Sequence, residues 1–335
     1  MKATGILAAI GNTPIIQLTH TSRELGFNVF AKLETLNPGG STKDRPAYHI
    51  ISRALETGAI GPDTVIIESS SGNMGIGLAQ VCNHFGLRFI CVVDPKTTTQ
   101  NVRLLQAYGA EVSMVLEPDP DTGEFLPARI TRIKSLLATV SNSFWIDQYS
   151  NEHNSQAHHQ TMAEIASAFD GEVDYLLCAT STCGTIRGCS EYVREHNLRT
   201  RIIGIDALGS VIFGGEKAKR LLPGHGAAIR PKLYSDDIAH AFLHVTDLEC
   251  VVGCRQLVRR EAVLAGGSSG GVYAALRRLK EDIPPGSTCV LIFPDRGERY
   301  LDTIYSDSWV NEHFGDVAHL WARANETPDC LLVTP

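Results

Sequence analysis

A lysine follows a glycine turn and opens a helical pattern in Asn37-Pro38-Gly39-Gly40-Ser41-Thr42-Lys43-Asp44-Arg45-Pro46. Proline presets one dihedral and glycine accepts positive φ, so Asn-Pro-Gly-Gly supplies the turn. From Lys43 to Leu55 the apolar residues Ile50, Ile51, Ala54 and Leu55 recur at helical spacing. Lys43 is thereby placed at a helix N-terminus, where free N–H groups and the dipole disfavour an ammonium. An amine so placed is suited to form a Schiff base with an aldehyde cofactor. On this stretch alone a solvated charge beside Asp44 is the commoner outcome; the rest of the chain reverses the odds.

Three further glycine-rich turns open helix-like runs, the first two directly after a strand-like run. Glu68-Ser69-Ser70-Ser71-Gly72-Asn73-Met74-Gly75 offers hydroxyls, N–H groups and an amide able to grip a carboxylate and a phenolic oxygen. The same Ser70 or Ser71 would equally serve as a helix cap. Thr180-Ser181-Thr182-Cys183-Gly184-Thr185 has the small residues and hydroxyls of a phosphate cradle at a helix N-terminus. It lacks the Gly-Lys-Ser/Thr ending of a nucleotide loop, so a terminal phosphate monoester fits better than a nucleoside triphosphate. Nothing near Cys183 suggests an activated thiolate. Ala265-Gly266-Gly267-Ser268-Ser269-Gly270-Gly271 places a hydroxyl where it can hydrogen-bond a heteroaromatic nitrogen without fully protonating it. Gly72, Gly75 and Gly77 followed by Asp94 come near a dinucleotide fingerprint, but in the order Gly-x-x-Gly-x-Gly, which misplaces the tight turn.

The elements that must position these turns alternate. Strands are expected at 64–68, 88–93, 111–115, 175–179, 201–206, 241–245 and 288–293. Helices are expected at 72–85, 98–108, 128–140, 184–196, 248–260 and 268–279, with a second set of elements beginning near Phe144. Such alternation predicts parallel sheets covered by helices, an α/β fold with ligands at the carboxyl ends of strands. The acidic run from Glu117 to Glu124 reads as an exposed loop, and Gly209 to Pro231 as a long connection of the kind that is often functional. From about Gly315 no pattern partner is evident, and Pro328 suggests a loosely held tail.

The 335 residues are 43% hydrophobic, enough for two lobes, and the net charge of −7 with no basic run excludes nucleic-acid and anionic-membrane partners. No apolar run approaches the about 20 residues that span a bilayer, and the N-terminus is too short an apolar run for a signal peptide. A cytoplasmic protein is the expectation. The 9 cysteines include no Cys-x-x-Cys pair, so a zinc cage or redox pair is unsupported, no metal site is expected, and most read as reduced core residues.

Taken in order, the landmarks Ile10-Gly11-Asn12-Thr13-Pro14, the lysine turn, Ser70-Ser71-Gly72-Asn73, Gly267-Ser268-Ser269-Gly270 and Gly297-Glu298-Arg299-Tyr300 resemble the fold-type II pyridoxal-phosphate enzymes of the cysteine synthase and cystathionine β-synthase family. The resemblance covers residues 5 to 309. It implies two lobes, each a mainly parallel sheet flanked by helices. The small substrate-closing lobe would span 39–147 and the large cofactor lobe 1–38 and 148–314, with 315–335 as the tail. It implies pyridoxal 5'-phosphate, with Lys43 as Schiff-base residue and acid/base and Asn73 on the phenolic oxygen. Ser181, Thr182, Cys183, Gly184 and Thr185 would hold the phosphate, and Ser268 the pyridine nitrogen. Ser70, Ser71, Gly72 and Met74 would lie at the substrate carboxylate. A homodimer and small amino-acid substrates are implied as well.

Departures narrow the choice. Asn73 is followed by Met74 where cysteine synthases usually have threonine, and the phosphate loop reads Ser-Thr-Cys-Gly-Thr rather than Gly-Thr-Gly-Gly-Thr. Here, and in Val92-Val93-Asp94-Pro95-Lys96, Asp147-Gln148-Tyr149, Phe293-Pro294-Asp295-Arg296 and Tyr305-Ser306-Asp307-Ser308-Trp309, the chain is similar to the branch making N-(2-amino-2-carboxyethyl)-L-glutamate for siderophore 2,3-diaminopropionate. The substrates there are O-phospho-L-serine and L-glutamate. Two anionic substrates call for extra cationic contacts, and Arg129, with Tyr149 adding a hydroxyl, is the candidate. The alternatives are a cysteine synthase using sulfide with O-acetylserine or O-phosphoserine, or a ligase using another amino-acid nucleophile. A regulatory pseudoenzyme is a further reading, against which the retention of Lys43, Asn73 and Ser268 argues.

Overall fold

The computed structural model describes residues 4–322. Two sheets organise the chain. The strands are β1 (Ile15–Gln17), β2 (Asn28–Leu33), β3 (Val65–Ser69), β4 (Arg88–Val93), β5 (Glu111–Met114), β6 (Ser143–Trp145), β7 (Tyr175–Ala179), β8 (Arg201–Ala207), β9 (Ala241–Val245) and β10 (Thr288–Phe293). A six-stranded sheet runs β1-β2-β10-β7-β8-β9 and a four-stranded sheet β5-β4-β3-β6. Every pairing is parallel except β1 with β2, which is antiparallel. The result is a two-lobed α/β architecture.

Apolar runs form these strands because both faces of each sheet are covered. In β10, Cys289, Leu291 and Phe293 enter one hydrophobic cluster while Val290 and Ile292 enter the one on the opposite face. The smaller sheet divides likewise, with Ile66, Phe89 and Cys91 on one side and Val65, Ile67 and Ile90 on the other. The period-two alternation is thus present but hidden by hydrophobicity on both faces.

The helix Asp44–Glu56 lies where the lobes meet, packing on helix Asn73–Phe85 and on helix His153–Gln156. Close approach is possible because Gly77 has no side chain: a Cβ there would stand 3.1 Å from the carbonyl oxygen of Lys43 and 3.2 Å from the Ala47 methyl.

Several expectations are corrected. Phe144 does not open a second set of elements; Ser143–Trp145 pairs in parallel with β3 and closes the smaller sheet. A three-residue strand has no period of its own, so its partner decides its membership. The helix expected from Ala128 begins at Phe125, because Pro127 is tolerated in a first helical turn. Helices Thr19–Leu25, His159–Ala168 and Asp307–Phe314, none of them anticipated, are polar enough to mask a helical stripe. The stretch after Gly315 is docked rather than loose as far as Ala322: Trp321 is 5% exposed within the large-lobe core, with the Arg255 guanidinium 5.3 Å from its ring. One tryptophan buries enough apolar area to hold a segment that no periodicity marks. Pro328 and the rest of the expected tail, with Cys330, lie outside the described residues.

Candidate active site

Three of the turns named from sequence follow the carboxyl ends of parallel strands or open helices on the same cleft. Lys43 caps helix Asp44–Glu56 with helical dihedrals and is partly buried. Burial lowers the pKa of its amine, against the opposing pull of Cys178, Asp295 and Cys183. Cys178 is the penultimate residue of β7 and Cys183 lies in the following loop, so the lysine is close to the expected phosphate cradle. Its turn is held from below. Gly40 has φ +84, and Asp44 accepts a hydrogen bond from the Gly39 N–H while Arg299 donates to the Gly39 carbonyl. A Cβ on Gly39 would stand 2.5 Å from Asp44 Oδ1, which is why glycine is required there.

The serine-asparagine turn follows β3 and feeds helix Asn73–Phe85. Ser70 is partly committed to that helix, its Oγ accepting from the Gly75 N–H at 2.9 Å. Ser70 thus satisfies one first-turn N–H of the helix, although the capping position itself is Gly72. The carbonyl of Ser71 is held by Asn101 Nδ2 at 2.9 Å, leaving Ser71, Gly72 and Asn73 at the partly exposed lip of the cleft. Met74 is 2% exposed, its side chain lost in the small-lobe core, so only its main chain faces the turn.

The loop from Thr180 to Gly184 follows β7 and opens helix Gly184–Glu195. Cys183 occupies the left-handed region at φ +67, a conformation that favours glycine. Burial pushes its thiol up to about 12, so it is no thiolate. Thr182 Oγ1 accepts from Asn154 Nδ2 at 3.4 Å, and Thr185 shares a hydrogen bond with His158 at 3.2 Å. A Cβ on Gly184 would stand 2.3 Å from Asn154 Oδ1. Ser181 is partly exposed at the loop's tip. The long connection seen in the sequence packs here, its Gly226 N–H donating to the Thr180 carbonyl at 2.7 Å. Ser268 is the second residue of helix Gly267–Arg278 and is buried.

Arg129 and Tyr149 are brought together: burial raises the Tyr149 phenol's pKa and the Arg129 charge opposes it. Arg129 is 12% exposed and already faces a carboxylate, its Nε 3.3 Å from Asp94 Oδ2. The acid weighed as a dinucleotide ribose ligand is thus occupied with Arg129 and with the Lys96 N–H, at 2.9 Å.

One residue that the sequence quoted without a role joins these parts. Asp295, just past β10 and 2% exposed, accepts from Asn73 Nδ2 at 2.9 Å and from the Tyr300 hydroxyl at 2.7 Å, both on Oδ2. Its main chain bridges to Ser41 in the lysine turn, and its carbonyl accepts from the Gly266 N–H at 3.0 Å, two residues before Ser268. An acid ending an apolar strand was the signal available.

Comparison with known proteins settles the class. Residues 6–295 match a family described as pyridoxal-phosphate dependent enzyme. The chain belongs to that family. Among solved structures, an O-acetylserine dependent cystathionine β-synthase from Helicobacter pylori is 31% identical, with TM-score 0.83 over 91% of this chain and 100% of that one. A cysteine synthase from Entamoeba histolytica is also 31% identical, with TM-score 0.84 and 91% of each chain covered. An O-ureido-L-serine synthase is 28% identical over 92% of this chain and 98% of that one, with TM-score 0.82.

The chain is therefore a pyridoxal-phosphate dependent enzyme of the cysteine synthase and cystathionine β-synthase type. The residues fit the cofactor: a partly buried lysine disfavoured as an ammonium, a helix N-terminus lined by small residues, and buried polar atoms without protein partners, Thr42 Oγ1 and Ser269 Oγ among them. No helix among the described residues is long and apolar enough to cross a membrane. Eight cysteines, all those described, are buried and free.

Proposed function

We infer that the enzyme's substrates are an O-activated L-serine and a small nucleophile, which takes the leaving group's place at Cβ. The chemistry beneath this is the family's pyridoxal-phosphate-dependent β-replacement. The observation that carries it is the placement of Lys43: an amine whose pKa burial lowers, beside Asp295 and the phosphate loop. When bound, the cofactor supplies an electron sink for the charge left at the substrate's α-carbon. Lys43, once free, is the base for the α-proton, burial making its neutral form easier to reach than that of a solvated lysine. Ser71, Gly72 and the helix N-terminus at Asn73 orient the substrate carboxylate through N–H groups and the dipole. The loop from Ser181 to Thr185 would hold the cofactor phosphate, and the Ser268 hydroxyl would serve its ring nitrogen.

The relatives support a cysteine-synthase-type reading of the substrates best, one being named an O-acetylserine dependent cystathionine β-synthase and another a cysteine synthase; for this chain that reading is O-acetylserine with sulfide or a thiol. A second reading, O-phospho-L-serine with L-glutamate, has one structural feature in its favour. Arg129 is mostly buried beside Tyr149, and only its Nε is turned to Asp94, at 3.3 Å. Its guanidinium has donors to spare for a phosphate or a second carboxylate.

Product analysis with sulfide, L-glutamate and L-aspartate in competition, against both serine esters, decides between them. The first reading expects cysteine from O-acetylserine. The second expects the glutamate adduct and phosphate, with Arg129→Ala lowering kcat/KM for the phosphorylated donor about tenfold or more. An unchanged kcat/KM in Arg129→Ala removes the second reading; no product with any pair removes both.

A further inference from the structure

Asp295 is used by none of the steps above, yet it joins the lysine turn, the asparagine turn and the turn that precedes Ser268. Its carboxyl takes Asn73 Nδ2 from the smaller lobe and the Tyr300 hydroxyl from the larger on the same oxygen. Its other oxygen, Oδ1, is buried without a partner and packed on Gly266, where a Cβ would stand 2.0 Å away. The neighbouring main chain is stitched to the lysine turn, with the Thr42 N–H donating to the Pro294 carbonyl at 2.7 Å and the Arg296 N–H to the Gly40 carbonyl at 3.3 Å. One short segment thus fixes the lysine turn through its backbone and the asparagine through its side chain.

An asparagine amide presents an oxygen or a nitrogen depending on which way it is turned, and the two ends differ little in size. A carboxylate only accepts, so it selects the nitrogen end. One N–H of Asn73 is then held by Asp295, and the second is fixed in the same plane.

We propose that Asp295 is a positioning residue that orients the Asn73 amide, so that its second N–H meets the phenolic oxygen of the bound cofactor. The inference rests on the cofactor assignment and not on the choice of donor or nucleophile. Without Asp295 the amide is free to turn its oxygen toward the cofactor, where it would repel the phenolic oxygen.

The test uses the cofactor-loaded full chain without substrate. Asp295→Ala is expected to weaken cofactor binding about three- to tenfold, the scale of one lost hydrogen bond. It should also shift the cofactor's visible absorption band and change that band's pH profile, which a merely structural residue would leave in place. Asp295→Asn keeps a carbonyl acceptor at the same spot and should restore most of both readouts. In an Asn73→Ala background, Asp295→Ala should have no further effect on the band.

An unchanged band and affinity in a folded Asp295→Ala variant overturns the proposal, as do effects of Asp295→Ala and Asn73→Ala that simply add. Should Asp295→Ala not fold, a crystal structure of the loaded parent enzyme carries the test. The Asn73 nitrogen within hydrogen-bond reach of both Asp295 and the phenolic oxygen supports the proposal, and an amide turned away from either overturns it. If the parent enzyme takes up no cofactor at all, the function proposed above fails first, and the parent's lack of colour distinguishes that outcome.

Discussion

Glu34 and Glu68 are both glutamates withdrawn from water, at 0% and 2% exposure, and their surroundings drive them in opposite directions. Glu34 sits under the lysine turn. Burial alone would raise its pKa, but the Arg45 charge and fork override that and hold its carboxyl below the usual range. Arg45 binds it through Nε and Nη2, each at 2.7 Å, while Thr13 donates at 2.7 Å and Asn37 at 2.9 Å. Arg45 then reaches Glu164 at 2.7 and 2.8 Å, and Lys32 joins Glu164 at 2.6 Å. Glu68, next to the last residue of β3, takes the Ser69 N–H at 2.9 Å and the Gln148 amide at 3.5 Å on one oxygen, while its other oxygen is buried without a hydrogen-bond partner. Burial raises it to about 8.

The difference teaches where this molecule spends its charges. Below the turn they are paired and rigid, fixing the helix that carries Lys43 to the six-stranded sheet. At the cleft wall, Glu68 and Asp295 are left short of donors, both with raised pKa values, the condition common at functional sites.

Breaking the lock should have the largest effect. Arg45→Met leaves Glu34 buried without its cation and is expected to cost about 3–5 kcal/mol, measured by denaturant unfolding. Adding Glu34→Gln to it should recover part of that loss, and a double variant no more stable than the single one would show that the network does not act as a pair.

The pH dependence sharpens the comparison next. Glu34, with its pKa lowered, contributes stability present above its unfolded value of 4.5 and lost as pH falls through its folded value. Glu68, with its pKa raised, contributes stability present below 4.5 and lost as pH rises through about 8. Glu68→Gln should therefore flatten the decline in Tm between these pH values and leave the acid limb alone, whereas Glu34→Gln should alter the acid limb. Identical Tm–pH curves for Glu68→Gln and the parent would refute the assignment.

The smallest effect is expected where the same chemistry is exposed. Arg88 forks onto Glu111 with both side chains at least half exposed, so solvent screens the pair. Arg88→Ala should change stability by about 0–1 kcal/mol in the same unfolding assay. A loss matching that of Arg45→Met would mean that burial is not what distinguishes the two forks.

Much of this was legible in the chain. The glycine turns, Lys43 as the opening of a helix, and the strands 175–179, 241–245 and 288–293 were readable because turn chemistry and apolar runs act locally. Ile10-Gly11-Asn12-Thr13-Pro14 was legible as a landmark but not as to purpose. Its Gly11 N–H donates to Asn37 Oδ1 at 2.8 Å and its Thr13 hydroxyl to Glu34, so part of what marked the family serves the lock. Met74, named for the substrate loop, proved a core side chain, since a single position carries no record of the face it turns to.

The sequence by itself determined most of the strands and helices and their alternation, the places where backbone N–H groups would be free, and the lysine at one of them. These follow from dihedral preference and hydrophobic period, which neighbours in sequence decide. Only the tertiary structure decided which buried carboxyls would be charged, that Arg129 would meet Asp94, and that Asp295 would join Asn73 to the lysine turn. Such outcomes depend on partners tens to hundreds of residues away, and on a solvation that exists only once the lobes have packed.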